Sequence, residues 1–383
     1  MTPAARLSAA ITILDRILAG TPAEQALVNW ARASRFAGSG DRNAIRDLVF
    51  DALRCRRSHA ALGGGETGRG LILGGLRAAG IDPGPLFTGE GHAPAPIGPD
   101  DVSIIPQGFE AADIPDWIGP QMQADLGDDF SAITAALRQR APVFLRVNLV
   151  RGGLVAAQAA LADEGITAEP HPLSPTALQV TEGARKIALS APYQDGRVEL
   201  QDAASQAVVD ALPLADGMRV LDYCAGGGGK VLAMAARARL RAFAHDTNPG
   251  RMRDLPDRAK RAGVKISITA RPEGPFDLVL TDVPCSGSGS WRRAPEGKWL
   301  LTPEKLQSLL TVQQTILHRA AALVRPGGWL GYATCSLLRC ENRAHIDSFL
   351  ADHPGWNLER DRQFTPLDGA DGFYGAVLRR NAG

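Results

Sequence analysis

Arg219-Val220-Leu221-Asp222-Tyr223-Cys224-Ala225-Gly226-Gly227-Gly228-Gly229-Lys230 is the stretch that decides the fold. Its first five residues read as a buried strand. The four glycines then break the strand into a loop whose backbone amides can approach a ligand, and at which a following helix can aim its N-terminus. Toward the C-terminus the rhythm of strand, loop and helix repeats through Ala242 to His245, Ile266 to Thr269, Leu278 to Thr281 and Trp329 to Ala333. Short apolar runs separated by helical patterns predict an α/β domain over 201–383, a parallel, doubly wound sheet that gathers ligands at the carboxyl ends of its strands.

Toward the N-terminus the pattern changes. Leu7, Ala10, Ile11, Leu14, Ile17 and Leu18, and then Ile45, Leu48, Val49, Ala52 and Leu53, recur at helical spacing. They predict an all-α domain over 1–125, with glycine and proline dense between Leu62 and Pro106. Val143-Phe144-Leu145-Arg146-Val147-Asn148 is the first convincing strand, and a helix over Leu154 to Glu164 follows. Residues 126–200 therefore read as a small α+β connector.

Composition narrows the function classes. The chain has 383 residues, five scattered cysteines and a net charge of +1. The cysteines show neither disulfide nor zinc spacing, so no metal is expected, and free thiols suit a reducing cytoplasm. No apolar run approaches the roughly 20 residues of a membrane span, so a soluble, cytoplasmic protein is expected; a monomer is the working expectation. Charge is informative only locally. Arg54, Arg56, Arg57 and His59 form one basic group, and Arg251, Arg253, Arg258, Lys260, Arg261 and Lys265 a second; both read as solvated helix faces. Arg292, Arg293 and Lys298, close in sequence to Cys285, read as an RNA-facing group.

The glycine loop lacks the Gly-Lys-Ser/Thr of a phosphate loop, because Val231 follows Lys230. Asp246 at the end of the next strand offers a carboxylate for both hydroxyls of a ribose, which favours a nucleoside-containing cofactor. Loop and carboxylate together look like the cofactor site of an S-adenosylmethionine-dependent methyltransferase.

Two further signatures carry thiols: Thr281-Asp282-Val283-Pro284-Cys285-Ser286-Gly287-Ser288-Gly289 and Tyr332-Ala333-Thr334-Cys335-Ser336. Each follows a strand that should end at the cofactor cleft. Thiols beside a methyl donor suggest methylation of a pyrimidine at carbon 5, a carbon too electron-poor to attack a methyl group directly. Addition of a thiolate at carbon 6 makes carbon 5 nucleophilic, and loss of the carbon-5 proton later expels the thiol. Asp282, three residues before Cys285, is the natural partner for N3 of the ring. Chemistry alone leaves open which cysteine attacks. Cys55, Cys224 and Cys340 read as small buried hydrophobes.

Beyond the two cysteine signatures, Arg292-Arg293, Pro295 and Lys298-Trp299 follow the first, Glu341-Asn342 follows the second, and Asp371-Gly372-Phe373-Tyr374 lies near the C-terminus. With Arg146-Val147-Asn148 and Gln201-Asp202-Ala203-Ala204-Ser205, these motifs make nearly the whole chain resemble the RNA (cytosine-5) methyltransferases of the RsmB/Nop2/Sun group, most closely the bacterial ribosomal RNA type. The N-terminus, with Asp41-Arg42-Asn43-Ala44-Ile45-Arg46-Asp47-Leu48, is similar to a NusB-like RNA-binding domain. The resemblance implies a Rossmann-like class I methyltransferase domain that uses S-adenosyl-L-methionine on 16S ribosomal RNA. It implies Cys335 as nucleophile and Cys285 as the residue that helps release product, with Lys230 and Asp282 holding the base. It further implies that Cys224, Ala225, Gly226, Gly227, Gly228, Gly229, Lys230, Asp246 and Asp282 hold the cofactor, and that Arg293, with Arg292, Lys298 and Arg146, meets RNA.

Two departures from the group's pattern mark the cofactor side. Four glycines and Val231 stand where the group has Ala-Pro-Gly-Gly-Lys-Thr, and the short Ala270-Arg271-Pro272-Glu273 offers only Glu273 as an acid near the adenine. They motivate an alternative, an RNA-binding ribosome assembly factor with a degenerate methyltransferase core.

Overall fold

Four strands come first in the chain: β1 (Val143–Val147), β2 (Thr167–Pro170), β3 (Ala177–Glu182) and β4 (Val198–Leu200). They form an antiparallel sheet of order β2-β3-β1-β4. Seven more follow: β5 (Arg219–Asp222), β6 (Arg241–Ala244), β7 (Ile266–Ile268), β8 (Phe276–Asp282), β9 (Val324–Thr334), β10 (Trp356–Phe364) and β11 (Phe373–Arg380). Their order is β10-β11-β9-β8-β5-β6-β7. From β7 to β9 all neighbours are parallel, and β11 runs antiparallel to both β9 and β10. The order reverses between β5 and β8, which places a ligand crevice at their carboxyl ends.

The central strands read as continuous apolar runs because both faces of the sheet are covered. Leu278 and Leu280 of β8 face the layer that includes the helix Gly229–Ala235, whereas Val279 faces the helix Pro303–Ala322. All three are fully buried, each contributing about 2 kcal/mol by removal from water.

The structure is a computed structural model that describes residues 1–382. The chain divides into two units, Met1–Arg140 with Trp291–Leu300, and Ala141–Ser290 with the residues from Leu301 onward. This differs from the three segments expected at 1–125, 126–200 and 201–383. The connector strands share a core with the large sheet: Phe144 and Ala177 pack with Ala203, Ala207, Ala333 and Phe364. The helix Phe130–Leu137 packs within the first unit.

The helical unit is built on α1 (Pro3–Leu18), α2 (Ala23–Ala33), α3 (Ser39–Arg54), α4 (Arg56–Gly63) and α5 (Gly68–Ala78). Leu7, Ala10, Ile13 and Leu14 pack with Ile45, Val49 and Leu53 and with Leu71 to Leu73, as the helical spacing predicts. The glycine-dense run forms a helix crossing. A Cβ on Gly74 would lie 1.9 Å from the His59 carbonyl oxygen, so α4 and α5 touch backbone to backbone there.

Candidate active site

On the cofactor side, β5 ends at Asp222 and the loop turns through Gly226 (φ +51°) and Gly228 (φ +83°). Both lie in the left-handed region that favours glycine. A Cβ on Gly228 would stand 2.2 Å from a methyl carbon of Leu255, so the turn is closed by packing as well as by conformation. Asp246, just past β6, is buried and braces the loop. Its Oδ2 accepts from the Gly226 amide at 2.9 Å and Oδ1 from the Asn248 amide at 2.9 Å, while Arg251 stands 3.3 Å away.

Next to this loop is a cavity of about 290 Å³ lined by Cys224, Asp246, Thr247, Arg251 and Pro284, and by Thr311, Thr315 and Arg319 of the helix Pro303–Ala322. Asp222 is fully buried, and its Oδ1 has no hydrogen-bond partner. Burial, reinforced by the charge of Asp282 and opposed by Lys230, pushes its carboxyl up to about 7. The glycine loop and the Asp246 carboxylate at the rim of this cavity fit a cofactor that carries a ribose.

On the thiol side, β8 and β9 are parallel neighbours with Asp282 paired to Ala333. The chain therefore leaves both strands at the same edge, and the two cysteines meet. Their sulfurs are 3.4 Å apart. Lys230, buried at the start of its helix, donates to Asp282 Oδ2 at 2.6 Å and lies 4.7 Å from the Phe373 ring. The two thiols are unequal. The contact with Cys285 lowers the Cys335 pKa, and the Lys230 ammonium and Ser290 hydroxyl add to this against burial and Asp282. For Cys285 the same contact, burial and the nearby charges of Cys335 and Glu341 raise the pKa well above the ordinary thiol range. In the C-terminal signature, the Gly372 amide donates to the Gly289 carbonyl at 2.9 Å, and the Gly289 amide to the Cys335 carbonyl at 3.0 Å.

Residues 209–377 match the model of the 16S rRNA methyltransferase RsmB/F family, and residues 114–186 match that of its ferredoxin-like domain. The ribosomal RNA small subunit methyltransferase B of an Escherichia coli strain is 33% identical over 294 residues, 70% of this chain and 68% of that protein. The chain belongs to the RsmB/F family. The corresponding protein of Xanthomonas campestris is 34% identical over 64% of this chain and 59% of its own length. The chain thus spans about three fifths of that relative, and 66% of the Xylella fastidiosa one. The crystal structure of PH0851 shares the fold, with a TM-score of 0.78, 22% identity and 99% coverage of both chains.

Several residues that the RsmB/F resemblance assigns to RNA have other work. Arg146 is buried and donates to the Gly229 carbonyl at 2.7 Å and to Gln201 at 2.5 Å; it braces the glycine loop from below, and burial pulls its pKa down to about 10. Lys298 is also buried. Its ammonium donates to the Arg54 carbonyl at 2.9 Å within the helical unit, and desolvation lowers its pKa to about 8. Arg292 is buried there too, its carbonyl accepting from Arg54 Nε. These three are corrections, since a buried cation is not presented to a phosphate. Arg293 is exposed.

Members of the other basic groups are paired, Arg56 with Glu66, Arg57 with Asp116, and Arg258 and Arg261 with Glu199. Val231 points into the core beside Leu255, so the residue that departs from the family threonine does not line the cleft. Glu273 is exposed and is absent from the cleft lining, where Thr311, Thr315 and Arg319 appear instead. Those three went unnoticed in the sequence because helix and cleft come together only through the fold. Among the described residues no group of three or more His, Cys, Asp or Glu could hold a metal, and no helix is long and apolar enough to cross a membrane.

Proposed function

We propose that this RsmB/F member is an RNA (cytosine-5) methyltransferase that uses S-adenosyl-L-methionine and acts on small-subunit ribosomal RNA. The observation that carries the reading is the pair of sulfurs 3.4 Å apart beside the Lys230–Asp282 ion pair, at the strand ends that flank the glycine loop. The names of the curated relatives support the substrate class.

Bound in the cleft by the Cys224 to Lys230 loop and Asp246, the cofactor supplies an electrophilic methyl group. Cys335 attacks as the thiolate, because its pKa is the lowered one of the pair. Its sulfur bonds to carbon 6 of cytosine, and the electron pair displaced toward N3 is met by the Lys230 ammonium, which Asp282 holds in place. Carbon 5, now enamine-like, takes the methyl group. Carbon 5 then gives its proton to water, the carbon 6–sulfur bond breaks, and the S–H of Cys285 stabilises the departing Cys335 thiolate. Arg293, exposed on the surface of its unit, is the cation assigned to the RNA backbone.

RNA containing 5-fluorocytidine, incubated with S-adenosylmethionine and the protein, is expected to give a covalent adduct that Cys335→Ala abolishes. Cys285→Ala is expected to accumulate a stalled adduct on ordinary RNA. An adduct that survives Cys335→Ala and is lost in Cys285→Ala reverses the assignment. Absence of calorimetric binding to S-adenosylmethionine removes the enzyme reading and leaves an RNA-binding assembly factor.

A further inference from the structure

Glu341 is completely buried, and its carboxylate is saturated by four donors. Oε1 accepts from the Ser286 amide at 2.8 Å and from Gln313 Nε2 at 2.9 Å. Oε2 accepts from the hydroxyls of Ser286 and Ser336, both at 2.5 Å. Both carboxylate oxygens are taken up by donors from the two cysteine loops and from Gln313. The partners are informative. Ser286 follows Cys285 in the chain and Ser336 follows Cys335, so one carboxylate grips the residue after each thiol. Ser288 completes the stitch, 3.1 Å from Ser286 and 3.0 Å from Ser336, and it accepts from the Leu337 amide at 2.8 Å. The backbone of Glu341 is fixed in turn, since its carbonyl accepts from Tyr332 at 2.8 Å.

We propose that Glu341 is a positioning residue with two jobs: it holds the two cysteine loops in register, and its buried charge keeps the proton of the thiol pair on Cys285, leaving Cys335 as the thiolate. The proposal rests on the cytosine-5 reading for its purpose, though not for its chemistry. Charged and titratable groups reach the pair from every side. Lys230 from its helix and Asp282 from the end of β8 stand toward Cys335, with the hydroxyl of Ser290; Glu341 and Tyr332 stand toward Cys285. Lys230 and Glu341 act in the same sense, because a cation near one sulfur and an anion near the other both favour a thiolate on Cys335 and a thiol on Cys285. Neither the clamp nor the bias needs a bound ligand.

The test is alkylation of each thiol by iodoacetamide as a function of pH, read by peptide mass spectrometry on the intact chain without RNA. In the unsubstituted protein Cys335 is expected to react at lower pH than Cys285. Glu341→Gln removes the charge and turns one oxygen into a donor that faces other donors. The two profiles should then converge, with Cys335 alkylation at pH 7 slowed by about tenfold, the equivalent of one pKa unit. Ser336→Ala, which keeps the charge and removes one arm of the clamp, should preserve the order of the thiols while slowing adduct formation with 5-fluorocytidine RNA. It serves as the second variant if Glu341→Gln does not fold, as judged by its melting curve. Superimposable alkylation profiles for Glu341→Gln and the unsubstituted protein overturn the proposal, as does a reversal of the thiol order in Ser336→Ala. If the unsubstituted protein forms no RNA adduct while Glu341→Gln still merges the profiles, the cytosine reading fails and the role of Glu341 stands.

Discussion

The two sides of the cleft satisfy their polar groups in different ways. On the thiol side the carboxylate and hydroxyls around the cysteines are matched: Glu341 meets four donors, and Ser286, Ser288 and Ser336 bond one another, while Gln313 Oε1 behind them has no partner. On the cofactor side Asp222 keeps an unpartnered oxygen, and Asp246 leans on Arg251, a side chain 58% exposed. Buried polar groups that are fully matched resist movement, whereas groups left short of partners can take a ligand without first losing a bond. The comparison predicts that the thiol pair is set before any substrate arrives, whereas the glycine loop would exchange partners when a ligand binds.

Overpacking the rigid side should give the largest effect. A Cβ on Gly289 would sit 2.0 Å from the Gly372 carbonyl oxygen, and neither backbone can yield without breaking the bonds to Cys335 and Gly289. Gly289→Ala is expected to cost about 3 kcal/mol by overpacking and lost hydrogen bonds. It should also lower 5-fluorocytidine adduct formation at least about tenfold, because the sulfur pair spreads. Thermal melting and the adduct assay read the two effects. Unchanged melting would mean that this side yields as readily as the other.

Asp222→Asn probes the other side through pH. The folded carboxyl titrates near 7, above its ordinary 3.8. Its proton therefore stabilises the fold below about pH 4, and that contribution is lost as pH rises through 7, by at most on the order of 4 kcal/mol. The variant should melt higher than the unsubstituted protein at pH 8 and no higher at pH 4. It should also bind S-adenosylmethionine more weakly, since an amide cannot match a cationic amino group. Parallel melting temperatures across that range would refute the strained carboxyl.

Much of the fold could be read from the chain itself, for a physical reason. Strands covered on both faces are uniformly apolar, and the glycine loop fell between two of them. The pair β10 and β11 escaped notice because β10, at the sheet edge, reads Trp356-Asn357-Leu358-Glu359-Arg360-Asp361-Arg362-Gln363-Phe364, too polar to resemble a core strand. At the site, the strand ends placed Cys285, Cys335, Asp282 and Lys230 together as their motifs suggested. The clamp was invisible. Glu341 takes its donors from Ser286, Gln313 and Ser336, positions that only the fold unites. Charge misled for a related reason: sequence shows that Arg146 and Lys298 are cations but not that both are buried. Lys298 bonds a residue 244 positions away, and no local pattern encodes that separation.

The smallest predicted effect tests the adaptable side most directly. Among the described residues Arg251 is the one side chain paired with Asp246, whose other partners are the amides of Gly226 and Asn248. An ion pair with an exposed arginine is worth under about 1 kcal/mol, so Arg251→Ala should shift the melting temperature little. If Asp246 exchanges partners when ribose hydroxyls arrive, removing Arg251 deletes a competitor, and affinity for S-adenosylmethionine should rise by up to about threefold, less than 1 kcal/mol. Calorimetric titration at low salt gives the number. A loss of affinity greater than tenfold would mean that Arg251 grips the cofactor itself. The cofactor side would then be as firmly built as the thiol side, with its partners supplied by the cleft wall instead of by buried hydroxyls.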